Sequence, residues 1–185
     1  LVTDEQRQRA VVAEGPSGEG GVPVYLHFLG SDARFSDRWA RPETVVSLLK
    51  LSKIWFERCA ERVGTEGNPG GLAACTLQIG DLAWYNDQRP DPLGHRHHYE
   101  GTCVDVRLFR SDASRYEAYW NRGDDREGRW DGYWPMLNGL FLHTAVRKAK
   151  VGPVYFNDPD LHVKFPSVEP RSGHDDHIHM CFVRP

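Results

Sequence analysis

A chain of 185 residues suffices for one domain with its own core, and its 39% hydrophobic and 26% charged residues are ordinary for a soluble globular protein. A formal net charge of −3 argues against nucleic acid as a partner, because phosphate-binding domains usually carry a basic excess. No apolar run approaches the roughly 20 residues that cross a bilayer, so no membrane span is expected.

Residues 1–21 are polar and hold the run Gly-Pro-Ser-Gly-Glu-Gly-Gly, which predicts a flexible N-terminal arm ahead of a single domain over 22–185. The chain opens on Leu1 without a basic start and apolar run, so it reads as a mature or trimmed form. Residues 22–29 suit a short strand. Pro42 stands where a helix can begin, since its missing N–H costs nothing in the first turn. Beyond it Val45, Val46, Leu48, Leu49, Leu51, Ile54, Trp55, Cys59 and Val63 recur near helical period, which predicts a helix over 42–63. The Gly-rich stretch 64–71 is a loop, with Gly64 as the helix cap.

Residues 72–84 read as a strand region, followed by a Pro/Asp/Gly loop through Gly94. Over 102–109, Cys103, Asp105 and Arg107 alternate with Val104, Val106 and Leu108, the period of a strand. Residues 112–135 are aromatic and charged without a clean period. Within them, Tyr116, Tyr119, Trp120, Trp130, Tyr133 and Trp134 fit either a lid over the sheet or a surface for sugar rings and stem peptide. A helix is expected over 137–150 with Leu137, Leu140, Phe141 and Val146 inward and Arg147, Lys148 and Lys150 in its last turn. Short strands are expected at 154–156 and 177–183.

Six of the nine histidines fall in two clusters, Gly94-His-Arg-His-His-Tyr-Glu-Gly-Thr-Cys-Val-Asp105 and Gly173-His-Asp-Asp-His-Ile-His-Met180. His177 and His179 are two apart on a strand, so their side chains share a face. Either can then bind a metal while the other works on its bound water. The first cluster offers His98 and Asp105, framed as His-x-x-Gly-x-x-x-Asp, with Gly101 suited to a bend. A register one residue off would substitute His97 for His98. One carboxylate and two imidazoles make a three-ligand zinc set with a fourth position for water, and the absence of thiolate favours a catalytic site. Asp175 and Asp176 are either second partners to a ring N–H or a solvated acidic turn. His27, His143 and His162 lie outside both clusters and read as packing or surface histidines.

His98-x-x-Gly101-x-x-x-Asp105 with a late His177-Ile178-His179 resembles the metallopeptidase group of lysostaphin-type enzymes, D-Ala-D-Ala peptidases and the hedgehog signalling domain. The longer string from Gly173 to His179 resembles one branch, the penicillin-insensitive murein endopeptidases. The resemblance implies an α+β fold, with a small antiparallel sheet flanked by helices and zinc on the open face of the sheet. It implies His98, Asp105 and His179 as zinc ligands and His177 as a catalytic residue. It places His174 where D-Ala-D-Ala dipeptidases carry a glutamate, and His95 near the site.

The implied activity is hydrolysis of a peptide cross-link in peptidoglycan, by a D,D- or L,D-endopeptidase acting on stem peptides in the periplasm or outside the cell. Alternatives are an N-acetylmuramoyl-L-alanine amidase, a D,D-carboxypeptidase and a non-catalytic zinc-bearing wall-binding module. Cys103 departs from the small or acidic residue often found there in relatives.

The four cysteines form no C-x-x-C pair, which leaves two disulfides or buried free thiols. If the strands of Cys103 and Cys181 are neighbours, these two are expected as a disulfide or a close thiol pair beside the zinc, and not as ligands.

Overall fold

The computed structural model describes residues 26–28, 40–66, 71–80, 82, 101–110, 135–149 and 151–183. The arm at 1–21, the histidines at 95, 97 and 98, and the aromatic segment 116–134 lie outside them. Among the described residues, strands β1 (Leu26–Phe28), β2 (Leu77–Ile79), β3 (Cys103–Arg107), β4 (Val151–Tyr155), β5 (Val168–Glu169) and β6 (His177–Phe182) form one sheet. Helices α1 (Pro42–Glu66), α2 (Pro135–Lys148) and α3 (Pro159–Lys164) complete an α+β fold. The strand order is β1-β2-β3-β6-β4-β5.

The sheet is mixed, which corrects the expected antiparallel one. The inner run β2-β3-β6-β4 is antiparallel, but β1 pairs parallel with β2 and β5 parallel with β4. Parallel pairing needs a long crossover. Here α1 lies between β1 and β2, and α3 between β4 and β5.

Helix α1 runs through Gly64 to Glu66, so Gly64 continues the helix and does not cap it. Its buried stripe is Leu48, Leu51, Trp55, Cys59 and Val63; Val46 and Leu49, which belong to the same apolar periodicity, are 50% and 40% exposed. Residues 71–75 form a 3-10 turn, and among the described residues of the expected strand region 77–79 pair in the sheet. Helix α2 buries Leu137 and Phe141 as expected, together with Leu142 and Ala145. Both helices share one core with Val104, Val106, Val154, Ile178 and Met180 from the sheet. At its centre the Trp55 ring lies 4.5 Å from Phe109 and 5.4 Å from Phe141. Buried Asn138 brackets Phe109, accepting from its N–H at 3.0 Å and donating to its carbonyl at 2.9 Å.

Two details of the sheet matter for the site. All four cysteines are paired, Cys59 with Cys75 and Cys103 with Cys181. The second bridge joins direct partners on β3 and β6. The pairing of β4 with β6 shifts register between Val151 and Val154, across Gly152-Pro153. Pro153 has no N–H to give the ladder, and the extra residue is a bulge. Because of it Tyr155, not Val154, stands opposite His179.

Candidate metal centre

Strand register brings the two motifs together. Asp105 on β3 pairs directly with His179 on β6, and Arg107 with His177. Partners in a sheet share a face, so Cys103, Asp105, Arg107, His177, His179, Cys181 and Tyr155 line one side while Val104, Val106, Ile178 and Met180 fill the core on the other. The backbone bend at Gly101, with φ of 66°, leads into β3, as the motif requires. Gly173, with φ of 86°, turns the chain into His174. A side chain at either glycine would be strained.

Asp105 and His179 are 4% and 2% exposed. Asp105 Oδ1 and His179 Nδ1 lie 2.8 Å apart. His177 Nε2 is 3.8 Å from Asp105 Oδ2 and is buried without a hydrogen-bond partner among the described residues. Its other nitrogen, Nδ1, is 2.7 Å from Asp176 Oδ1. The His174 ring sits 4.8 Å from that of His177 and 5.6 Å from that of His179. Three imidazoles and a carboxylate thus converge from both sides of the β3–β6 seam.

A buried carboxylate and an orphaned ring nitrogen are costly in a protein interior unless paired or bound to a metal. Imidazole nitrogen and carboxylate oxygen are suitable donors for zinc. Asp105 and His179 are thus donors of the kind zinc takes, and here they hydrogen-bond to each other. Cys103, His179 and Cys181 also form a buried group whose ligand atoms lie within 4.8 Å of one another. That group could hold a metal by distance, but both sulfurs are consumed in the disulfide, and it is the thiolate that ligates.

The three titratable neighbours are tuned in different directions. Burial lowers the His174 pKa, and the nearby His177 charge lowers it further, against carbonyl hydrogen bonds and Asp105 that raise it. Burial also works to lower the pKa of His177, but the Asp176 hydrogen bond and the charges of Asp105 and Asp176 prevail and raise it. Burial would raise Asp176, yet the hydrogen bond and charge of His177, with Arg107 beyond, hold it below its ordinary value. Arg107 Nη1 approaches Asp176 Oδ2 at 3.9 Å.

Of the sequence candidates, Asp105, His179, His177 and His174 are assembled in one place, while His98 and His95 lie outside the described residues. Of the two alternatives for Asp176, it takes that of a partner to a ring nitrogen, at His177. Asp175 accepts from Asn157 Nδ2 at 2.9 Å. His162 bonds the Phe156 carbonyl and His143 packs near Phe165, so both are structural.

Three residues escaped the sequence reading. Tyr155 stacks on His179, with ring centres 5.5 Å apart and planes at 28°. Asn157 grips the turn carrying His174: its Oδ1 accepts from Arg171 N at 2.7 Å, and its own N–H donates to the His174 carbonyl at 3.1 Å. Arg171 lies over the Tyr155 ring at 4.6 Å. The alternation of β4 held a signal for Tyr155, since Val154 faces the core; nothing in the local pattern marked the other two.

Compared with known protein families and with curated proteins, the chain finds no match.

Proposed function

We propose that this chain is a zinc-dependent peptidoglycan hydrolase that cuts a peptide cross-link, as a D,D- or L,D-endopeptidase, and that it is similar to the penicillin-insensitive murein endopeptidases. The observation that carries this reading is the pairing of Asp105 with His179, 74 residues apart in sequence, with His177 and His174 beside them. A structural zinc site would need neither of the last two histidines.

His98, Asp105 and His179 would hold the zinc, with His95 nearby. Zinc so held would supply Lewis acidity, activating water and polarising the scissile carbonyl. The protein's own part follows from its hydrogen bonds. Asp176 fixes a proton on His177 Nδ1 and leaves Nε2, on the Asp105 side, as the atom that takes up or releases a proton. His174, held with its Nδ1 toward the carbonyls of Arg171 and Ser172, presents its other edge for sharing that proton or stabilising the oxyanion. Tyr155 packs against His179 and keeps its ring in plane.

Two disulfides suit an oxidising compartment, so we place the protein in the periplasm or outside the cell. Among the described residues no helix is long and apolar enough to cross a membrane.

The test is zinc content beside muropeptide release. The wild type should carry one zinc per chain. His179→Ala should lose zinc and activity together. His177→Ala should keep zinc while turnover falls by about 10²–10⁴-fold, the usual contribution of a positioned acid–base group. Zinc lost from His177→Ala and kept by His179→Ala would reverse the two roles. Digestion of sacculi identifies the bond: loss of cross-linked dimers with intact sugar–peptide bonds marks an endopeptidase, and free glycan strands with free peptides mark an amidase. Zinc bound with nothing released would leave a wall-binding module.

A further inference from the structure

Beside the candidate metal centre stands a cation that has no carboxylate partner among the described residues. The Arg171 guanidinium lies over the ring of Tyr155, which in turn stacks on His179. Its backbone is pinned on two sides: Asn157 Oδ1 accepts from Arg171 N at 2.7 Å, and the Arg171 carbonyl receives the His174 N–H at 3.2 Å. The side chain is exposed, yet a ring face limits where its head can go.

The carboxylates of the same turn are engaged elsewhere. Asp175 is bonded to Asn157 and Asp176 to His177, with Arg107 behind it. Among the described residues Arg171 makes no ion pair. A planar fork of donors, held at the rim of a site and left unneutralised, is suited to a carboxylate that arrives with a ligand.

We propose that Arg171 selects substrates carrying a carboxylate beside the scissile amide. The inference rests on the hydrolase reading above and narrows it. In a diaminopimelate cross-link the carbon that bears the scissile nitrogen also bears a carboxylate, so both the D,D and the L,D bond present the feature. Arg171 and the metal centre would then grip the two sides of the bond to be cut, with the Tyr155 ring setting the spacing between them.

The experiment uses two probes, a cross-linked muropeptide dimer with free diaminopimelate carboxylates and the same dimer with those carboxylates amidated. Calorimetry on the metal-free protein reads binding, and kcat/KM on the zinc-loaded protein reads cleavage. The wild type should prefer the free acid by roughly 10- to 100-fold, the range for a hydrogen bond to a charged group. Arg171→Gln should remove that preference, and Arg171→Lys should restore part of it, since an ammonium keeps the charge but not the fork. Equal binding of the two probes by the wild type, or a preference that survives in Arg171→Gln, overturns the assignment. Cleavage without preference sinks Arg171 alone. Preference in binding without cleavage of either probe upholds carboxylate recognition and sinks the hydrolase reading.

Discussion

His174 and His177 nearly touch, yet their surroundings push them apart: the first toward the neutral ring, the second toward the protonated one. The direction for His177 has a consequence in the metal-free protein. Its raised pKa means that its pairing contributes stability in full below the ordinary value of 6.5, and that this is lost as pH rises through the folded value. Asp176, lowered from 3.8, contributes above that value and loses its share as pH falls through the folded one. The pair is therefore fully effective between 3.8 and 6.5. An NMR titration of the metal-free protein should place His177 above 6.5, and Asp176→Asn should bring it down. A His177 that titrates alike in both proteins would contradict the pairing. Asn157 acts on the same cluster through the backbone. Asn157→Ala should lower stability by about 1–3 kcal/mol, since its two side-chain hydrogen bonds, of about 1 kcal/mol or somewhat more each, are lost. It should also slow turnover while zinc content stays the same, as the His174 turn loosens. Asp105, His177 and His179 were legible in sequence because alternation assigns a face to each. Asn157 and Arg171 were not, because their roles depend on how one irregular turn folds back on the end of a strand.

At the level of elements, the strands bearing the two motifs matched their expected spans within two residues at each end, since period-2 alternation against a core is a strong signal. The short elements were missed. Helix α3 has six residues and β5 two, too few to show a period. Asp158 caps α3, accepting from Asp160 N at 2.9 Å ahead of Pro159, a local signal that a longer apolar pattern did not reinforce. The parallel edges were illegible for a different reason: strand direction depends on where a crossover returns, which no local window records. Helix α1 was read well as a helix but poorly as a face, because Val46 and Leu49 broaden the apolar stripe beyond what is buried. Trp55 is where α1 meets the core. Trp55→Ala should cost about 3–5 kcal/mol by cavity formation, seen as a lower midpoint in denaturant. Trp55→Phe should cost clearly less. The indole Nε1 has no hydrogen-bond partner among the described residues, so the smaller ring gives up packing but no hydrogen bond. Equal losses for the two variants would show that something other than cavity volume sets the cost.

Across the whole molecule, the site and the fold share one seam. β3 and β6 carry the candidate ligands Asp105 and His179, stand at the middle of the sheet and are covalently joined. The Cys103–Cys181 bridge spans 78 residues of sequence and the Cys59–Cys75 bridge 16. On the chain-entropy account these loops contribute about 4–5 and about 3 kcal/mol by restricting the unfolded chain. The two bridges do not overlap, and the stretch from 76 to 102 lies inside neither. This makes the chain unequal toward proteases. A single cut anywhere between Cys103 and Cys181 leaves two pieces that still travel as one on a denaturing gel until a reductant is added. Those pieces keep Asp105 and His179 tethered across the bridge. A single cut between Cys75 and Cys103 should instead release two fragments without any reductant. One half would carry α1, and the other both β3 and β6. Limited proteolysis, run with and without reductant and with the cut sites read by mass, distinguishes the two patterns. Fragments that part without reductant after a cut inside the longer loop would mean that Cys103 and Cys181 are not joined in the protein as made.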